Sequence, residues 1–153
     1  MSKTLTLCYE YEHDYKLIGI NSTIEDHRLA YLLNQNLEIH LKRQPNDLDF
    51  AEKECSFTLY NYDCEATFST WSLLANKHFF LSETNENNLF GEESKVTYLI
   101  NEKRNVDYFL KMNGEFEDTE IRSFLEKIKN IKGIITCYSI DPETLKSKDF
   151  LIF

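Results

Sequence analysis

The densest run of reactive side chains lies near the start of the chain, at Cys8-Tyr9-Glu10-Tyr11-Glu12-His13-Asp14-Tyr15. In an extended strand, Cys8, Glu10, Glu12 and Asp14 would share one face, and Tyr9, Tyr11, His13 and Tyr15 the other. Such carboxylates could attract a hard cation. Same-face neighbours on one strand diverge, however, and neither a calcium-loop nor a zinc-ligand spacing is present, so no metal site is assigned. Tyr9, Tyr11 and Tyr15 are large and amphipathic, as interface side chains are, and an acidic rim would select a basic protein partner. The same face could instead cover a sheet.

Nucleophilic chemistry would need a thiol beside a base. Cys64 and Cys137 could pair with His27, His40 or His78, but no local pattern brings a thiol to an imidazole, and no catalytic residue is assigned. The four glycines, Gly19, Gly91, Gly114 and Gly133, stand alone and form neither a Walker loop nor a dinucleotide fingerprint, so no cofactor is expected. Trp71, beside Leu73 and Leu74, reads as core.

The 17 basic and 26 acidic side chains give a net charge of −9, a field that repels phosphate and disfavours nucleic acid. The pair Lys42-Arg43, followed by Asp47 and Asp49, reads as a solvated strand end. Four cysteines without a CxxC pair, and an opening MSKTLTLCYEYEH without an apolar run, point to reduced thiols and a cytoplasmic protein. No segment approaches the roughly 18 apolar residues of a membrane helix.

These side chains must be positioned by a chain of 153 residues, the size of one domain. The apolar run Lys16-Leu17-Ile18-Gly19-Ile20-Asn21 predicts a strand, and Ser22 with Glu25 three residues later predicts a capped helix from about Thr23 to Gln35. Leu37, Ile39 and Leu41 alternate as in a strand. Ser56 to Tyr62 and Ala66 to Leu74 predict a hairpin about Asp63-Cys64-Glu65, and a further run at His78 to Leu81 extends or follows its second strand. Glu83 to Glu93 reads as a long polar loop. A second hairpin is predicted from Val96, Tyr98 and Ile100 to Val106, Tyr108, Leu110 and Met112. Ile121, Phe124, Leu125, Ile128 and Ile131 define the clearest helix, with Asp118 or Thr119 as cap and Gly133 as stop. Ile134 to Ile140 reads as a buried strand, and Phe150 to Phe153 as a final apolar strand or tail. The order predicts one α+β domain over residues 1–153, an antiparallel sheet of about six or seven strands with two amphipathic helices packed on it.

The segment Ile100-Asn101-Glu102-Lys103-Arg104-Asn105-Val106-Asp107-Tyr108 resembles the signature of the IPExxxVDY family, small bacterial proteins of the Bacteroidetes type. Eight of nine positions fit, counting the three free ones, and Asn101 stands where the signature has proline. The helix around Thr23 to Asn34 also looks like that family's early segment. The resemblance implies kinship along nearly the whole chain but no activity, cofactor or ligand. Within the turn itself, Val106 and Tyr108 are expected to pack inward, while Glu102 and Asp107 bond backbone amides or pair with Lys103 and Arg104.

A non-enzymatic protein-interaction or accessory domain is therefore expected, its interface on the tyrosine face or a sheet edge. The rival is a small enzyme or ligand-binding domain whose site forms only in the fold, with Cys64, His78, Glu102 or Asp107 as candidates. The oligomeric state is left open.

Overall fold

The computed structural model describes residues 14–50, 55–82 and 93–153. A six-stranded, wholly antiparallel sheet forms its centre. Strand β1 (Lys16–Ser22) lies between β10 (Ile134–Ile140) and β9 (Tyr108–Asn113). Beyond β9 come β6 (Ser69–Ala75), β5 (Leu59–Cys64) and the two-residue β2 (Lys42–Arg43). Two smaller ribbons accompany it, β3 (Leu48–Phe50) with β4 (Cys55–Phe57), and β7 (Lys77–Ser82) with β8 (Glu93–Tyr98).

Period-2 alternation sends the inner strands' side chains to two separate cores. On one face Ile18, Ile20, Trp71, Leu73, Leu110 and Met112 meet helix α1 (Asp26–Leu37) and helix α2 (Asp118–Lys129). On the other, Leu17, Leu74 and Phe109 meet Phe57, Ile100, Val106 and the C-terminal Leu145 and Leu151. Burial on both faces explains why β1 and β9 read as nearly continuous apolar runs. The helices cover one face; short ribbons and 3-10 turns cover the other.

Helix α1 buries Leu29, Leu33 and Leu37, a stripe spaced by four, and ends where Glu38 turns left-handed at φ 55°. Helix α2 carries Asp118 and Glu120 first and Lys127 and Lys129 last, matching the helix dipole. Gly133 closes the following turn at φ 103°, where an added Cβ would come within 2.7 Å of the Ile24 side chain.

Several expectations are corrected. The first helix starts at Asp26, because Ser22 belongs to β1 and its hydroxyl donates to Gly133 O while accepting from Ile24 N–H. No strand runs from Leu37 to Leu41. Asn34 instead holds Leu41 by both backbone groups, taking the place of a strand partner. The second hairpin does not form: β8 pairs with β7, and β9 enters the central sheet between β1 and β6. Among the described residues, strand β10 is an edge rather than a buried strand. Lys148–Leu151 is a 3-10 turn packed against its own chain through Leu151. The predicted loop at Glu83 to Glu93 falls outside the described residues except for Glu93, which opens β8.

Candidate functional site

The two edges of the central sheet are built differently. At one end β2 is only two residues long, both cationic, and Arg43 pairs with Asp47. Short charged edges resist further pairing. At the other end β10 offers the seven residues Ile134-Ile135-Thr136-Cys137-Tyr138-Ser139-Ile140, without charge, proline or glycine. Among the described residues it pairs with β1 alone. Cys137 is buried toward the helices, its thiol donating to Leu125 O at 3.5 Å, and Ile140 is buried on the opposite face. Ile135, Thr136, Tyr138 and Ser139 are exposed, Ile135 at 62% and Tyr138 at 38%. Lys103 Nζ stands 5.8 Å from the centre of the Tyr138 ring. Burial raises the Cys137 pKa above the ordinary thiol value, which keeps the sulfur neutral.

The segment from Ile100 to Tyr108 is a structural junction. Ile100 and Val106 are fully buried. Between β6 and β7, Asn76 receives the Ile100 N–H on its amide oxygen (2.8 Å) and donates to Lys103 O (2.9 Å) and Val106 O (2.8 Å). Its backbone N–H bonds Asp107 O, and its carbonyl accepts from Leu99 N–H. The Asp107 carboxylate accepts from Ser22 N–H at 2.8 Å and pairs with Lys77 at 2.6 Å, rather than with Lys103 or Arg104. Tyr108 donates its hydroxyl to Ile24 O at 2.7 Å, and burial raises its pKa well above the ordinary phenol value. Glu102 accepts from the Ser147 N–H and hydroxyl. Burial pushes its pKa upward, but these hydrogen bonds outweigh that and hold it below the ordinary value.

Candidate residues from the two hypotheses are dispersed. Tyr9 and Tyr11 lie outside the described residues. Tyr15 is 3% exposed and belongs to the core beneath the C-terminal turn, so its side chain offers no open interface. Cys64 closes β5 on the helix side, while His78 lies on β7 and Glu102 is tied to Ser147. Cys64 lines a cleft of about 340 Å³ with Tyr62, Trp71, Phe116 and Phe124. Hydrogen bonds from the Thr67 and Tyr62 hydroxyls and from the Thr67 amide lower its pKa to about 7. Cys64 is therefore expected to alkylate readily at neutral pH, with a half-maximal rate near pH 7, while Cys137 stays protected. Peptide mapping after timed iodoacetamide treatment checks this; equal labelling of the two thiols would contradict it.

Sequence reasoning passed over Lys111. Its side chain is 1% exposed on the face of β9 opposite the helices. The ammonium donates to Leu151 O at 2.6 Å, between the rings of Tyr15 (4.5 Å) and Phe153 (4.3 Å). Burial lowers its pKa to about 8. The available signal was the apolar run Tyr108-Phe109-Leu110-Lys111-Met112, which fits a strand buried on both faces. Among the described residues no cluster of three or more His, Cys, Asp or Glu side chains could hold a metal ion. No described helix is long and apolar enough to cross a membrane. No protein-family model, curated protein or solved structure matches the chain.

Proposed function

We propose that this chain is a non-enzymatic protein-interaction domain that takes up an extended segment of a partner along β10. The observation that carries the reading is the contrast between its edges: a two-residue cationic β2 against a neutral, seven-residue β10 with four exposed side chains. Unpaired strand edges recruit strands through backbone hydrogen bonds, and side chains on the two faces set the selectivity. Ile135 and Tyr138 are the anchors of that contact. The dispersal of Cys64, Glu102 and Asp107 supports a binding role over a catalytic one. A cytoplasmic setting fits the reading, and residues 100–108 with the α1 segment are the basis for proposing kinship with the IPExxxVDY family.

The test is a screen of displayed extended peptides against the folded chain, with hydrogen exchange on the best binder. Binding is expected to protect amides within residues 134–140, and Thr136→Lys/Tyr138→Lys is expected to weaken it by about ten-fold or more. Peptides that bind while those amides remain unprotected, at unchanged affinity in the double variant, would overturn the reading.

A second reading has one observation in its favour, the placement of the Cys64 side chain in a cleft with Tyr62, Trp71, Phe116 and Phe124. It makes the cleft a small-ligand site, to be tested by whether ligands that shift the melting midpoint also slow Cys64 alkylation.

A further inference from the structure

Resting on the reading of β10 as a strand-accepting edge, we infer that its occupant is a second copy of this chain, paired antiparallel about a two-fold axis at Cys137. The charges beside the strand carry the inference. Lys132 precedes it and Asp141 follows it; both are exposed, and neither forms an ion pair among the described residues. The strand between them has no charge. An antiparallel copy centred on Cys137 sets Thr136 against Tyr138 of its mate, and brings the bulged end at Ile134 and Ile135 to the mate's Ser139 and Ile140. The same register brings Lys132 of each copy to the end that carries Asp141 of the other. A cation at one end and an anion at the other make the edge complementary to itself only when the strands run in opposite directions.

Side-chain placement agrees with that register. From Thr136 to Ile140 the side chains of β10 alternate between faces, Cys137 toward the helices and Tyr138 away from them, whereas a bulge opposite Asn21 and Ser22 leaves Ile135 out of the pairing with β1. Thr136 and Tyr138 therefore share the face away from the helices, where each would lie against the other from the second copy. Ser139 shares the helix side with Cys137. Cross-strand pairs of a β-branched and an aromatic side chain are favourable. The net charge of −9 per chain opposes association at long range, but at physiological salt such repulsion is screened beyond roughly 8 Å; close to the axis the strand itself adds no charge, and Lys103 lies over the Tyr138 ring. Joining two edges converts two six-stranded sheets into one continuous sheet and leaves β2, short and cationic, as the edge at both ends. The shared edge is narrow, so the dimer is expected to form in the micromolar range.

The experiment is sedimentation equilibrium of the full chain from low to high micromolar concentration. The parent chain is expected to approach twice its 18.2 kDa mass. Thr136→Lys/Tyr138→Lys and Thr136→Glu/Tyr138→Glu are each expected to stay monomeric, because like charges then face each other across the axis. Mixing the two variants should restore the dimer, since each lysine then meets a glutamate. Circular dichroism and melting midpoints confirm that both variants fold. A monomeric parent chain, a dimer indifferent to both variants, or a mixture that stays monomeric would overturn the inference. A monomeric parent chain whose β10 amides are still protected by an extended peptide would remove the second copy while leaving strand acceptance intact.

Discussion

Replacing Asn76 by alanine is expected to destabilise the fold by about 4 kcal/mol, among the largest effects a single side chain in this chain can have. The side chain is fully buried, and its amide satisfies one N–H and two carbonyls of the segment from Ile100 to Val106. Removing it orphans all three groups, and each unsatisfied buried group costs about 1–3 kcal/mol. The value of about 4 kcal/mol allows for partial relaxation, because Lys103 O lies nearer the surface than Val106 O. Leucine would fill the volume but leave the same groups unpaired, so it should not rescue. Denaturant unfolding of the parent chain and both variants measures this. A loss below about 1 kcal/mol would show that the segment holds its shape without Asn76.

The second large effect has the opposite sign. Lys111→Met is expected to stabilise the protein by about 2 kcal/mol at pH 7. The lysine pKa falls from 10.5 to about 8 on folding, a gap that corresponds to about 3 kcal/mol against the charged folded form. Losing the hydrogen bond to Leu151 O offsets about 1 kcal/mol of the gain. The sign with pH follows from proton binding. Between about pH 8 and 10.5 the unfolded chain holds the proton and the folded chain does not, so the parent's stability rises through that window relative to the variant. The advantage of methionine should therefore be full below pH 8 and gone by about pH 10.5. Paired urea titrations across that range check the difference, which cancels the titration of other groups. A constant difference would mean that Lys111 keeps its charge in the fold. A lysine held at such a cost marks the place where the C-terminal turn is fastened to the sheet.

The parts legible in the sequence were those whose signal is local. Helix α2 was plain because Ile121, Leu125 and Ile128 repeat at helical spacing and the charges follow the dipole. The hairpin of β5 and β6 was plain because two β-rich runs flank a polar turn. What failed was the choice of partner. Val96 to Ile100 and Val106 to Met112 alternate as hairpin strands should, yet alternation fixes which side chains share a face and not which strand lies alongside. The 3-10 turn at Asn101–Lys103 and the grip of Asn76 send β8 and β9 to different sheets. Leu37, Ile39 and Leu41 were misread because a side chain, Asn34, supplied the hydrogen bonds that a neighbouring strand would have made. The exposed edge at β10 could not be foreseen, since Ile134 to Ile140 has the composition of a central strand.

The position of β1 between β9 and β10 also sets an order of events on the ribosome. Residues 16–22 emerge well before both strands that pair with them, which lie beyond residue 107. At about 5–20 residues per second, β1 waits roughly 6 to 24 s after leaving the exit tunnel before its last neighbour follows. During that interval Leu17, Ile18 and Ile20 have neither flank nor cover from the sheet. The hairpin of β5 and β6 can form at once, because its two strands are adjacent in sequence. Completion of this sheet therefore waits for the synthesis of residues 134–140, and truncation before Ile140 would leave β1 with an unfilled side.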